Sequence, residues 1–304
     1  MNNIIEINNN KYPELLKNVG KDAPKLLYYK GNIDLLKSNC LAVVGSRRMT
    51  TYGRQITEKL VSRIASTALP AGGQGITIVS GFMYGIDATA HKSAVDVGGK
   101  TIAVMPCGID RVHPEYQVKL YNEILENNGL IISEYEGDTM PAYWTYPQRN
   151  KIVAGLSKAV LVTEAGEKSG SLITANLAKK YDRKIFTVPG PLTSVLSFGT
   201  NQLIKKGEAE IVTSAEDILK FYNKNLAVER LSLSTVASLC GSCVRPGLPQ
   251  SMESKILGQL QLEPMEIDSL SRKLNKNIQE ISRLISFMEI KGQIKKENNK
   301  YYVS

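Results

Sequence analysis

The sequence predicts an α/β protein: a doubly wound, mostly parallel sheet followed by a small helical module. Three observations lead there. Short apolar runs recur from Cys40 to Val188, most close in a loop bearing Gly, Ser or Pro, and stretches with helical spacing of apolar residues alternate with them. Beyond about residue 250 this alternation stops, and three helix-spaced apolar sets precede a terminal Tyr301-Tyr302-Val303 run.

The chain of 304 residues has room for one large core and a smaller domain. Its 38 Lys and Arg against 29 Asp and Glu give a formal net charge of +9, which favours a polyanionic partner over a neutral one. Residues 1–11 are Asn-rich and lack the basic and apolar regions of a secretory leader, and no apolar run approaches the ~18 residues of a membrane span. A cytoplasmic protein without a membrane partner is expected. Of the four cysteines, Cys240 and Cys243 form a C-x-x-C with no second pair at zinc-ligand spacing, so an incidental linker pair is expected and no metal.

Residues 1–39 are expected to be a lead-in: Tyr12-Pro13-Glu14-Leu15-Leu16-Lys17 suggests a short amphipathic turn, and Leu26 to Asn32 a short strand packing on the main domain. The main domain is expected over 40–222. Its first strand, from Cys40, ends in Gly45-Ser46-Arg47-Arg48 and enters a helix through Ile64; arginines at a strand's carboxyl end sit where open α/β sheets take ligands, unless they only cap or pair on the surface. The next strand ends in Ser80-Gly81, and a loop leads to a helix with Asp87 and His91, which are expected to pair on one helix face. Thr101–Met105 and Leu130–Ser133 are further strands. An acidic loop then leads to Tyr143, Trp144, Tyr146, Arg149, Asn150 and Lys151, where cations among rings suit single-stranded nucleic acid, the rings alternatively plugging the loop under the sheet.

Ala159–Val162 is expected to be a buried strand, and Leu172, Ile173 and Leu177 to mark an amphipathic helix. The loop between them, Glu164 to Ser171, combines a turn at Ala165-Gly166 with Lys168, Ser169, Gly170 and Ser171 at the helix start. Free N–H groups and the positive dipole end make such a start an anion cradle, though Gly and Ser also serve merely to turn and cap. Lys184–Val188 and the run from Glu210 are the last strands, with a helix capped at Ser214.

Residues 223–250 have linker composition. Residues 251–304 fit three helices and a β-wing, the winged-helix plan, whose third helix carries Asn275, Lys276, Asn277 and Arg283 beside Glu280 and Glu289, so duplex DNA and protein are both possible partners. Ala71–Gly75 precedes its strand rather than following one, which excludes a nicotinamide or flavin fingerprint; no cofactor is expected.

Taken together, G-S-R at 45–47, S-G-x-x-x-G-I-D-x-x-A-H at 80–91, G-G-K-T-I-A-V at 98–104, Y-P-x-R-N-K-I at 146–152, E-A-x-x-x-S-G-S-L-I-T-A at 164–175 and V-P-G at 188–190 resemble the DNA-processing protein A (DprA/Smf) family over about residues 10–220. The resemblance implies an extended Rossmann-like domain that binds single-stranded DNA, forms a homodimer and loads RecA recombinase during natural transformation or recombination, without enzymatic turnover. Carried across residue by residue, it implies DNA contacts at Ser46, Arg47, Ser80, Gly81, Tyr146, Arg149, Lys151, Lys168, Ser169, Gly170 and Ser171. The family often has a basic residue where Met83-Tyr84 stands, and Phe and a second Arg where Tyr146 and Gln148 stand, so one phosphate contact is expected to be weaker here. The rival reading is a nucleotide phosphoribohydrolase of the lysine-decarboxylase-like group using Glu164 or Glu134, against which the group's P-G-G-x-G-T is absent and no second carboxylate or His joins Glu164.

Overall fold

Strand β3 (Cys40–Gly45) is buried on both faces, which sets the architecture around it. Leu41 and Val43 pack with Leu60, Val61 and Ile64 of α2 (Thr51–Ser66) and with Ala90 and Ala94 of α3 (Ile86–Asp96). Ala42 and Val44 face the other way, into a core with Ile152 and Val153 of α5 (Thr145–Leu156) and Ala175 and Ala178 of α6 (Gly170–Lys180). Helices thus cover both sides of the sheet, as the continuous apolar strands require; α1 (Glu14–Lys17) and α4 (Val118–Glu126) complete the series up to α6.

The computed structural model describes residues 3–67, 75–223, 256, 260, 265–274, 276–290, 294–297 and 300–303. Among them the chain divides into two units, 1–232 and 233–304. In the first, β1 (Asn3–Glu6), β2 (Leu26–Gly31), β3, β4 (Thr77–Ser80), β5 (Thr101–Val104), β6 (Leu130–Ser133), β7 (Ala159–Glu164), β8 (Lys184–Thr187) and β9 (Glu210–Ile211) form one sheet in the order β1-β2-β6-β5-β4-β3-β7-β8-β9. From β6 to β9 every neighbour is parallel; β2 joins β6 antiparallel, and β1 joins β2 antiparallel.

The lead-in is therefore part of the sheet, not merely packed upon it. Ile4 and Ile5, within an Asn-rich stretch, give no strand signal on their own; β1 exists because β2 offers a free edge. A helix over 215–223 starts as expected at Ser214, where Asp217 accepts from the N–H groups of Thr213 and Ser214, each at 3.0 Å. No described helix is long and apolar enough to cross a membrane.

In the second unit, helices Ile267–Leu274 and Ile278–Ile290 and a hairpin of β10 (Ile294–Glu297) with β11 (Lys300–Val303) enclose Ile256, Leu260, Leu270, Ile281, Ile285 and Tyr301. Asn277 precedes the second of these helices, and its side chain accepts from the N–H of Gln279 at 3.0 Å. Cys240, Cys243 and Asn275 lie outside the described residues, as does most of the first helix expected after residue 251.

Candidate nucleic-acid interface

The strand order reverses between β3 and β7: the chain runs from β3 outward to β6, then returns to place β7 on the other side of β3. At such a switch point the loops leaving two adjacent parallel strands diverge, and a crevice opens at their carboxyl ends. Here it is a cavity of about 590 Å³. Gly45 to Arg48 after β3, Gly166 and Lys168 to Ser171 after β7, Tyr146, Arg149 and Asn150 of α5, and Tyr84 and Asp87 line it.

One wall is the start of α6. Ser169 is the cap: its Oγ accepts from the Ser171 N–H at 3.4 Å and lies 2.7 Å from the Ser171 hydroxyl. Lys168 and Gly170 are exposed beside it. The helix start therefore presents N–H groups, two hydroxyls and an ammonium to the cavity, an arrangement suited to an anion.

The loop after β3 makes the next wall. The Ser46 N–H donates to the Glu164 carbonyl at 2.8 Å, fastening this loop to the end of β7, and the Ser46 carbonyl accepts from Ile86 N–H at 3.2 Å. Gly85, at φ +81°, lies against the Ser46 and Arg47 carbonyls, and a Cβ there would collide with both. Arg47 is exposed, with its guanidinium 5.0 Å from the centre of the Tyr146 ring and 5.9 Å from that of Tyr84. The Tyr146 hydroxyl is in turn 3.0 Å from His113 Nε2. A guanidinium lying over aromatic rings is favoured by their negative faces and keeps its donors free for an anion.

The floor is Arg149, whose side chain is 5 % exposed and lies 3.8 Å from the Asp87 carboxylate. Burial pushes the Asp87 carboxyl above its usual range, with Arg149 opposing that shift, and burial likewise pulls the Arg149 guanidinium down. Arg149 Nε has no hydrogen-bond partner among the described residues. A buried guanidinium with unused donors under a cavity favours anionic occupants. Asp87 is the one acid among the described residues lining the cavity.

Of the residues expected from sequence, Ser46, Arg47, Tyr146, Arg149, Lys168, Ser169, Gly170 and Ser171 converge on this cavity. Ser80, Gly81 and Lys151 do not line it. Ser80 is fully buried and donates to the Val43 carbonyl at 2.6 Å, joining β4 to β3. Gly81 acts indirectly, since the Arg149 guanidinium occupies the place its Cβ would take. Lys151 pairs with Asp22 of the lead-in at 3.1 Å, and hydrogen bonds from Lys180, Lys151 and Tyr181 hold the Asp22 carboxyl down to about 2.

Two other expectations change, and the Glu164 of the rival enzyme reading is otherwise engaged. His91 does not pair with Asp87: its Nδ1 lies 2.7 Å from the Thr101 hydroxyl, while Asp87 turns to Arg149 and the Met83 N–H. Tyr143 is 98 % exposed and so plugs nothing, and Trp144 meets Tyr135 edge-on rather than entering the cavity. Glu164 is buried and accepts from the Thr50 N–H at 2.8 Å and the Thr50 hydroxyl at 2.6 Å, capping the start of α2. Ile173 and Leu196 line the cavity without having been expected there; no sequence signal places the Leu196 loop beside α6.

The model of the DNA recombination-mediator protein A family matches residues 3–223. DNA processing protein DprA of Streptococcus pneumoniae is 42 % identical over 198 residues, covering 65 % of this chain and 67 % of that one. Protein Smf of Escherichia coli is 40 % identical over 208 residues, covering 68 % of this chain and 53 % of that protein, so the match spans about half its length. A solved structure of DNA processing protein A from Helicobacter pylori, described for its single-stranded DNA binding mode, superposes with a TM-score of 0.65 at 35 % identity, covering 74 % of this chain and 97 % of that one.

Proposed function

Because this chain belongs to the DNA recombination-mediator protein A family, we propose that its α/β domain binds single-stranded DNA and hands it to RecA recombinase, acting as a cytoplasmic homodimer in natural transformation or recombination. The observation that carries the reading is the convergence of Arg47, Arg149, Lys168 and the start of α6 on one cavity at the switch point. Cations that neutralise phosphates release counterions, which supplies sequence-independent affinity. The similarity to the Helicobacter pylori protein, whose structure is described for single-stranded DNA binding, supports the choice of polyanion.

No turnover reaction is assigned. The phosphoribohydrolase reading is not favoured, because Glu164 is engaged by Thr50 at both carboxylate oxygens and is absent from the lining of the cavity. Lys151 keeps a role only if a strand draws it from Asp22. The expected affinity therefore rests on Arg47, Arg149, Lys168 and the Ser169–Ser171 cap.

Fluorescence anisotropy with labelled oligonucleotides tests the first half of the proposal: single strands bind tighter than duplex of the same length. Equal or tighter duplex binding would overturn it. The second half is tested by asking whether the protein lets RecA assemble on strands precoated with single-strand-binding protein; no gain over RecA alone removes the mediator role. Release of free base from AMP by the purified protein would restore the enzyme reading.

A further inference from the structure

A cationic cavity alone does not explain a preference for single strands, because a duplex carries the denser phosphate charge. Something must reward unstacked bases. The ring faces that Tyr84 and Tyr146 turn toward Arg47 are already covered by its guanidinium.

The loop after β8 offers apolar surface that nothing covers among the described residues. Leu192 is 94 % and Val195 82 % exposed, and no charged side chain occurs from Pro189 to Thr200. Exposed apolar surface on a fastened loop costs free energy and marks a binding surface. This loop is fastened at both ends. The Asn201 amide bonds the Gly190 N–H at 3.1 Å and its carbonyl at 3.0 Å, the Tyr52 hydroxyl donates to the Pro189 carbonyl at 2.7 Å, and the Gly199 N–H donates to the Ala165 carbonyl at 2.8 Å. Its position also fits. Leu196, next in chain to the exposed Val195, and Ile173 of α6 line the cavity, so this end of the loop adjoins it.

Resting on the single-stranded DNA reading above, we infer that Leu192, Val195, Leu196 and Ile173 form a nucleobase-binding lip, against which bases of a strand lie while its phosphates meet Arg47 and Lys168. Bases stacked inside a duplex cannot reach such a lip. The lip has no polar donors or acceptors on its four side chains and reads no sequence; it selects strandedness. Its occupant is the DNA strand and not a second protein, because Leu196 and Ile173 line the same cavity as Arg47, Arg48 and Lys168, where Asp87 is the one acid among the described residues; the exposed Glu167 lines a separate pocket at the loop's Phe198 end.

The test is the full chain with Leu192→Ser/Val195→Ser, sites exposed enough that folding is unaffected. Three probes are compared by anisotropy: an oligothymidylate, an abasic oligonucleotide of the same length, and a duplex. Loss on the order of tenfold for oligothymidylate, with abasic and duplex binding unchanged and the salt slope retained, is expected. Wild-type affinity of the variant for oligothymidylate, or equal losses on thymine-bearing and abasic strands, overturns the lip. A change in sedimentation with DNA affinity unchanged overturns it too, assigning the surface to a second copy. Wild-type protein that fails to prefer single strands over duplex is a different failure: it overturns the underlying reading.

Discussion

A Cβ on Gly81 would fall inside the guanidinium of Arg149: the space left by the missing side chain at the end of β4 is where the floor of the cavity is built. Gly81 thus belongs to the site without facing it. Gly81→Ala displaces the Arg149 guanidinium and is expected to cost about 1–3 kcal/mol of stability, read as a lowered denaturation midpoint, along with weaker single-strand binding. Combined with Arg149→Ala, the losses are expected to be less than additive, since the clash is then gone. Full additivity would show that the two residues do not share this space.

Arg47 both carries charge and lies against the rings of Tyr84 and Tyr146. Arg47→Lys retains the first and loses the second, so single-strand affinity is expected to fall by a factor of about 3–10 with an unchanged salt slope. Arg47→Ala and Lys168→Ala are each expected to weaken binding to every sequence and to reduce the slope by roughly 0.7, one phosphate's worth on a single strand. Unchanged slopes in the alanine variants would exclude phosphate contacts at both positions.

Glu164 ties β7 to α2 through Thr50. Its truncation to Ala leaves the Thr50 groups without their acceptor and removes a carboxylate from a helix start, an expected loss of about 1–3 kcal/mol. DNA affinity of the folded variant is expected to stay near wild type. Thermal unfolding and anisotropy on the same sample separate the two, and a lost affinity at full stability would return Glu164 to the site.

His91 is buried, and burial, aided by nearby Arg149, depresses its pKa from 6.5 to about 3. The folded state therefore binds this proton less readily than the unfolded chain. Its contribution to stability is complete above pH 6.5 and is lost as pH falls toward 3, at up to about 1.4 kcal/mol per pH unit. Denaturant unfolding between pH 7 and 4 is expected to show that slope, flattened in His91→Asn; equal slopes in both proteins would assign the acid sensitivity elsewhere.

The sequence was most legible where a local pattern carries its own physics. Alternating apolar runs and helical periodicity predicted the parallel sheet, and a Gly-Ser loop between a strand and a helix predicted where α6 starts and that Ser169 caps it. It was least legible where direction matters. Arg149 and Lys151 stand two apart on α5, and residues at that spacing point to different sides of a helix, so they cannot share one cavity. That rule was available from sequence, and it explains why Lys151 meets Asp22 while Arg149 lies under the site.

By itself, then, the sequence determined the class of sheet, the chemistry of the loops at its carboxyl edge and the motifs of the family. Tertiary structure alone decided that β7 lies beside β3, bringing Lys168 to Arg47 across a long chain separation; that Ser80 turns inward to Val43 and His91 to Thr101; and that an uncharged loop after β8 stands next to α6. The reason is physical: local spacing fixes what each segment can be, whereas strand order and helix rotation follow from which apolar faces bury each other across the whole chain.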